Sequence, residues 1–111
     1  MEECIFCKIA QHQTPADILY EDDLVIVFKD IKPSAPIHLL ITTKEHIKSV
    51  NQLQAKHQKL IARMVLTAKK MAAEQKTDHS GYKLLFNVGR GGGQLVDHLH
   101  LHLLGGGDLR G

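Results

Sequence analysis

The sequence lacks the features that mark several large classes of protein. It has no tryptophan, two cysteines and three prolines in 111 residues, and 5% aromatic residues. No apolar run reaches the roughly 20 residues that a membrane span needs, so we expect no membrane contact. The N-terminal residues lack the basic and apolar regions of a signal peptide, which predicts a cytoplasmic protein. The net charge of +2, spread along the chain, does not indicate nucleic-acid binding.

The overall composition is that of an ordinary globular protein. Hydrophobic residues make up 43% of the chain and charged residues 23%. A chain of this length buries roughly two-thirds of the surface that it exposes when unfolded. No internal repeat or linker interrupts the sequence. We therefore predict a single domain over residues 1–111.

Hydrophobic periodicity predicts an α+β domain with an antiparallel sheet. Short apolar stretches bounded by turn residues predict five strands, over residues 17–21, 24–29, 37–42, 82–88 and 96–104. Apolar residues at i, i+3 and i+4 predict one long amphipathic helix, over residues 51–76. A short helix is expected near the N-terminus, over residues 5–11.

Three histidines alternate with leucines in the last predicted strand. Because successive side chains of a strand point to opposite faces, His98, His100 and His102 share one face and the leucines share the other. The leucine face packs on the core, which leaves the histidine face toward something polar. The Cα atoms of His98 and His102 would lie roughly 13 Å apart on a straight strand. A metal–nitrogen bond is only about 2.1 Å long, so this spacing disfavours a centre with three histidine ligands.

Two interpretations of the histidine face then remain, a solvated strand or chemistry on a phosphoryl group. Imidazole suits the second, because its ordinary pKa near 6.5 leaves the neutral nucleophile abundant at cytosolic pH. A glycine-rich segment, residues 89–93, leads into the histidine strand. Glycines let backbone N–H groups form concavities that bind phosphate. The two features together favour phosphoryl chemistry.

These residues resemble the signature of a known superfamily. The run from His98 to Leu104, His-Leu-His-Leu-His-Leu-Leu, is similar to that of the histidine triad (HIT) superfamily. The similarity continues through residues 4–9, 28–38 and 87–94, and so covers nearly the whole chain. A histidine at the third position, where the nucleotidyltransferase branch has glutamine, makes the chain most similar to the Hint branch.

The resemblance implies a fold and an activity. The expected HIT-like fold is a five-stranded antiparallel sheet with one long and one short helix, which dimerises into a ten-stranded sheet. The expected activity is hydrolysis of purine nucleoside phosphoramidates, with no cofactor required for the chemistry. Two alternatives stay open: a dinucleoside polyphosphate hydrolase of the same superfamily, and a nucleotide-binding regulatory protein with weak catalysis.

The resemblance also implies roles for individual residues. His100 is expected to be the nucleophile that forms a covalent nucleotidyl intermediate, and His102 to hold the phosphoryl oxygens. His38 is expected beside His100 as a proton relay, and His98 to have a more structural role. Asp30 matches the ribose ligand. The other nucleotide-binding candidates are Ile5, Phe6, Ile9, Phe28 and Ile31 around the base, and Asn87, Gly93 and Gln94 near the phosphate.

A C-x-x-C pair near the N-terminus, Cys4 and Cys7, indicates metal binding or redox chemistry in a reducing compartment. Some bacterial relatives keep such a pair together with zinc. Structural zinc takes four nitrogen or sulfur ligands, and the resemblance points to His46 and His98 as the other two. The alternative is a pair of reduced, partly buried thiols.

The sequence departs from the family pattern at two places. Leu95 stands where a small hydroxyl residue is usual, and leucine cannot donate a hydrogen bond to a phosphoryl or leaving-group oxygen. The tail also lacks the tryptophan that is common in the branch. The first departure concerns protonation of the leaving amine, and the second concerns substrate selectivity.

Overall fold

The computed structural model describes residues 4–109 and shows a five-stranded antiparallel sheet. In chain order its main elements are α1 (Ile5–Ala10), β1 (Ile18–Glu21), β2 (Val25–Lys29), β3 (Ile37–Thr43), α2 (Gln58–Glu74), β4 (Tyr82–Leu85) and β5 (His100–Gly105). The strands are ordered β1-β2-β3-β5-β4. The predicted α+β architecture, with one long and one short helix, is confirmed. No helix within residues 4–109 is long and apolar enough to cross a bilayer.

The sheet buries both faces, each against a different helix. Helix α2 packs on β3 and β5, where its buried methionines Met64 and Met71 join the leucines of the histidine strand in the larger core. Helix α1 covers the other face through Phe6 and Ile9, which pack with Ile26, Phe28 and Leu40. The ring of Phe6 lies 5.0 Å from that of His100, so the histidine face is the α1 face. The prediction that the leucines of this strand face the core beneath the long helix is confirmed.

The register between β3 and β5 brings two distant histidines together. His38 of β3 pairs with Leu104, and His102 of β5 pairs with Leu40. The two histidines are therefore diagonal neighbours on one face, a separation that long side chains can bridge. A one-residue slip would turn one of them to the opposite face.

The long helix begins later than its apolar period predicted. Two 3₁₀ turns, Val50–Gln52 and Ala55–His57, precede α2, and Leu53 between them has an extended backbone with ψ 145°. The Ser49 side chain accepts the Asn51 N–H at 3.1 Å, and His57 Nδ1 accepts the Gln54 N–H at 2.9 Å. Such local side-chain bonds compete with helical ones, so the helix starts only at Gln58.

The last two strands are shorter than predicted. Strand β5 begins at His100 and not at residue 96, because the His98 N–H turns back to the Val96 carbonyl and the Leu99 N–H donates to the Ile47 carbonyl. Strand β4 ends at residue 85 and not 88, and beyond it the Asn87 side chain bonds to the glycine-rich loop. His98 therefore precedes the strand that carries the other two histidines.

Candidate functional site

His100, the first residue of β5, presents one free nitrogen. Its Nδ1 lies 2.6 Å from the backbone carbonyl oxygen of His98, and a carbonyl can only accept a hydrogen bond. The proton of the neutral ring is therefore on Nδ1, and the lone pair is on Nε2. The side chain is buried and packs edge-on against Phe6. This geometry gives an oriented nitrogen nucleophile.

His38 and His102 form a directed hydrogen-bonded pair. The Ser34 N–H donates to His38 Nδ1 at 3.0 Å, so the proton of the neutral His38 ring is on Nε2. That Nε2–H donates to His102 Nδ1 at 2.9 Å. His102 in turn carries its own proton on Nε2, which makes it a hydrogen-bond donor. The sequence predicted His38 beside His100, whereas this hydrogen bond joins it to His102.

Asp30 lies directly beside the histidine pair. Its backbone N–H donates to the His38 carbonyl at 3.1 Å, and its Oδ1 accepts the Lys32 N–H at 2.8 Å. The second carboxylate oxygen, Oδ2, is 3.5 Å from His38 Nε2. The candidate ribose ligand is thus held by two backbone contacts with one oxygen turned toward the histidines.

Burial keeps the histidines of this cluster neutral at pH 7. It lowers the pKa of His38 and of His100, and together with the neighbouring histidines it lowers the pKa of His102 to about 4. The Asp30 carboxylate acts in the opposite direction on the pKa of all three rings. A neutral His100 is the form that can act as a nucleophile.

The C-x-x-C pair meets two histidines in a second cluster. Cys4 Sγ is 3.2 Å from His98 Nδ1, and Cys7 Sγ is 3.2 Å from His46 Nδ1. The two histidine nitrogens are themselves 3.2 Å apart. The donor atoms of these four residues all lie within 4.8 Å of one another. The structure therefore brings together all four residues that were predicted to bind metal.

The chemistry of this cluster fits a zinc ion. The fully buried His98 donates its Nε2–H to the Thr43 carbonyl at 2.6 Å, so its Nδ1 lone pair faces the sulfurs. Burial and the neighbouring Cys4 raise the pKa of the Cys7 thiol to about 11, and a divalent cation would reverse that effect. Two thiolates and two imidazoles form a common tetrahedral zinc set. The Thr43 carbonyl fixes the orientation of the His98 ring, as carbonyl groups do behind histidine ligands in known metal sites.

Three residues of the first cluster have the right residue types but the wrong protonation for a metal. The ligand-type atoms of Asp30, His38 and His102 also lie within 4.8 Å of one another. His38 Nε2 carries a proton, however, because Ser34 donates to the other nitrogen. A metal needs a lone pair at that position. These three residues are better suited to holding and moving protons.

The apolar residues predicted around the base fall into two groups. Phe6, Ile9 and Phe28 are buried in the smaller core beside His100. Ile5 and Ile31 are exposed, and Ile31 keeps 91% of its surface accessible. The buried residues form an apolar wall next to His100, and the exposed ones are accessible to a ligand.

The residues predicted near the phosphate shape the glycine-rich loop. The buried Gln94 side chain accepts the Gly89 N–H at 2.9 Å and donates to the Lys48 and Val96 carbonyls. The Asn87 side chain donates to the Gly92 carbonyl at 2.8 Å. Gly93 has φ +86°, a left-handed conformation that favours glycine.

Two contributors to the site escaped the sequence analysis. Ser34 sets the tautomer of His38, and Thr43 sets that of His98. Both act through the backbone, Ser34 as a donor and Thr43 as an acceptor. No side-chain pattern signals such a role, because most residue types supply the same backbone groups.

Comparison with known proteins adds three findings. Residues 3–108 match the family model described as scavenger mRNA decapping enzyme C-term binding. The purine nucleoside phosphoramidase of Escherichia coli K12 is 46% identical over 108 residues, which cover 97% of this chain and 91% of that protein. A HIT family hydrolase from Legionella pneumophila has a TM-score of 0.96 at 46% identity, covering 97% and 96% of the two chains.

A fourth similarity is to a protein with bound zinc. A zinc-bound histidine triad family protein from Mycobacterium smegmatis has a TM-score of 0.83 at 26% identity. The alignment covers 96% of this chain and 77% of that one.

Proposed function

The chain belongs to the histidine triad superfamily and is Hint-like, and we propose that it hydrolyses purine nucleoside phosphoramidates through a covalent intermediate on His100. The observation that carries the proposal is the His100 ring, whose Nδ1–H is held by the His98 carbonyl so that Nε2 is a free nucleophile. The activity named for the Escherichia coli relative supports the substrate class. The alternative substrates are dinucleoside polyphosphates, and the alternative role is nucleotide binding with weak catalysis.

The proposed reaction has two displacements. His100 Nε2 attacks phosphorus, the P–N bond breaks, and the amine leaves with its electron pair and a proton from the site. Water then attacks the nucleotidyl-histidine, breaks the P–Nε2 bond and restores that proton, releasing the nucleoside monophosphate. His102 presents its Nε2–H to the phosphoryl group. Covalent catalysis of this type divides one difficult step into two easier ones.

The same proposal assigns the nucleotide contacts. Asp30 accepts hydrogen bonds from the ribose hydroxyls. The base lies against the apolar residues at α1 and the end of β2, with Ile5 and Ile31 as the exposed walls. Asn87, Gly93 and Gln94 contribute by holding the loop conformation near the phosphate, since the two side chains are occupied by backbone groups.

We further propose that one zinc ion per chain binds Cys4, Cys7, His46 and His98. When bound, it would tie the N-terminal segment to the residue before β5 and would take no part in the displacement. Metal analysis of protein purified without chelator should give one zinc per chain. Cys4→Ser should lose the metal and His100→Asn should keep it. Wild-type protein without zinc would reject this site.

The proposed dimer would join two sheets through their β4 edges. Leu84 and Leu85 of β4 and Val65 and Leu66 of α2 are exposed apolar residues. A groove of about 570 Å³ lies along the same edge, between residues 80–83 and 107–109. Sedimentation should give a dimer for the wild type, a monomer for Leu84→Asp, and a dimer for the control Leu95→Asp. A monomeric wild type would contradict the pairing.

The activity test compares two substrates and two variants. The wild type should hydrolyse an alkylamine phosphoramidate of adenosine much faster than a dinucleoside polyphosphate. His100→Asn should lose at least about a thousandfold in kcat, as nucleophile removal does elsewhere. Replacement of the exposed His79 by asparagine should change nothing. Equal rates for His100→Asn and wild type would reject the catalytic role of His100.

A further inference from the structure

The His38 side chain has two acceptors within reach of its single proton. Its Nε2 atom, which carries that proton, lies 2.9 Å from His102 Nδ1 and 3.5 Å from Asp30 Oδ2. Asp30 is held in place by the bonds of its N–H and its Oδ1 to the backbone, so Oδ2 stays directed at the pair. The His38 side chain is only 5% exposed, which leaves little water to replace either acceptor.

Protonation of the His38–His102 pair would require Asp30 Oδ2 as the second acceptor. An alkylamine is a poor leaving group unless it takes a proton as the P–N bond breaks. Ser34 keeps His38 Nδ1 as an acceptor, so a proton that the site takes up from bulk solvent goes to His102 Nδ1. That proton displaces the His38 Nε2–H from His102. Asp30 Oδ2 is then positioned to accept it.

We propose that Asp30 is a positioning residue for the chemical step, in addition to its contact with the ribose. Its Oδ2 accepts the His38 Nε2–H and supplies the counter-charge while His102 carries both ring protons. His102 then gives its Nε2 proton to the departing amine and keeps the Nδ1 proton. In the second step its Nε2 takes a proton from the attacking water. This inference rests on the proposed function.

The electrostatics of the cluster agree with the geometry. Three titratable groups surround His102: His38 from β3, His100 from β5, and Asp30 just after β2. Burial and the two histidines oppose a charge on His102, and the Asp30 carboxylate favours it. Asp30 therefore supplies the negative charge that offsets part of the desolvation cost.

The test uses two substrates with the same nucleoside and different leaving groups. Asp30→Asn keeps the shape of the side chain and removes its charge. For an alkylamine phosphoramidate of adenosine we expect kcat to fall at least about tenfold, within the range of general acid catalysis. For the 4-nitrophenyl ester of the same nucleotide, whose leaving group needs no proton, we expect a loss in kcat that is several-fold smaller than the loss for the phosphoramidate. Replacement of the exposed Asp17 by asparagine should affect neither substrate.

The ribose is identical in the two substrates, so loss of a ribose contact alone would affect both equally. Equal losses, or a rise in KM without a fall in kcat, would overturn the inference. A second measurement is independent of turnover: NMR titration of the free protein should give a lower pKa for His102 in Asp30→Asn, and an unchanged pKa would also overturn it. A wild type inactive on the phosphoramidate would reject the proposed function, while the titration still tests the pairing of Asp30 with the histidines.

Discussion

At the scale of single residues, one backbone contact behind each ring sets the chemical role of a histidine. The His98 carbonyl frees Nε2 of His100, the Thr43 carbonyl frees Nδ1 of His98, and the Ser34 N–H places the proton of His38 on Nε2. Neighbouring histidines of the same segment thereby present different ring nitrogens. His98 faces the cysteines, and His100 keeps its lone pair for a ligand.

The identities of the site residues were accessible from the sequence, and their pairings were only partly so. The alternation of residues 98–102 predicted one histidine face, and the family resemblance predicted the four candidate metal ligands that the structure brings together. The bond between His38 and His102 was not predicted, because it depends on the β3–β5 register. The tautomers were inaccessible because they are set by backbone groups of Ser34, Thr43 and His98, and no side-chain pattern signals where those groups lie relative to the rings.

Gly105 provides a test of packing at a single residue. A Cβ at this position would lie 2.9 Å from Thr77 Cγ2 and 3.2 Å from Thr77 Cβ. Gly105→Ala should therefore destabilise the protein by about 1–3 kcal/mol, the usual cost of overpacking. Adding Thr77→Ser removes Cγ2 and keeps the hydroxyl that bonds to the Ala72 carbonyl, so the double variant should regain part of the loss. Urea unfolding measures both effects.

The control for this prediction is Gly91→Ala, since nothing lies within 4 Å of a Cβ at that position. It should change the unfolding free energy by less than about 0.5 kcal/mol. A Gly105→Ala variant as stable as Gly91→Ala would show that the contact with Thr77 is not tight.

At the scale of elements, the strongly patterned segments were predicted and the irregular ones were not. The strands β1 to β3 and the body of α2 follow from apolar period and turn residues. The residues before α2 continue the helical period but adopt 3₁₀ turns, because Ser49 and His57 bond to nearby N–H groups. The start of β5 was misplaced for a similar reason, since residues 98 and 99 bond outside the ladder.

Helix α1 is an element that the proposed zinc should stabilise. It has six residues, too few to be stable alone in water. Its N-cap is Cys4, whose sulfur accepts the Cys7 N–H at 3.3 Å. Removal of zinc by a chelator should speed amide hydrogen exchange in residues 5–10 while leaving α2 unchanged. Cys4→Ser should show the fast exchange without chelator.

The opposite result would show that the stability of helix α1 does not depend on the metal. If residues 5–10 exchange at the same rate with and without chelator, their packing through Phe6 and Ile9 is sufficient to hold α1. The zinc would then have no structural role in this element.

At the scale of the whole molecule, the two faces of the sheet carry different groups of residues. Its α2 face carries the larger apolar core, and its α1 face carries the histidines with a smaller core. The leucines between the histidines belong to the first face. The alternating pattern that predicted the site is therefore also what anchors β5 in the fold.

The buried histidines should make stability depend on pH. The pKa of His102 is about 4 in the folded protein and near 6.5 when unfolded. Between these two pKa values the unfolded chain binds a proton at His102 that the folded chain does not bind. The contribution of neutral His102 to the free energy of unfolding is therefore complete above pH 6.5 and is lost as the pH falls toward 4. The slope for one such proton is at most about 1.4 kcal/mol per pH unit.

His102→Gln tests this pH dependence directly. Unfolding free energies measured from pH 7.5 to 4.5 should fall less steeply in the variant than in the wild type. The two slopes should differ by at most the slope that corresponds to one proton. Parallel slopes would mean that His102 titrates alike in the folded and unfolded states.

The central claim is that His100 bonds covalently to phosphorus, and rapid-quench mass spectrometry tests it most directly. Wild-type protein mixed with an adenosine phosphoramidate and quenched in the first turnovers should gain the mass of one nucleotidyl group. Peptide mapping should assign the gain to His100. Turnover without any adduct, or an adduct on another residue while His100→Asn remains active, would contradict the account.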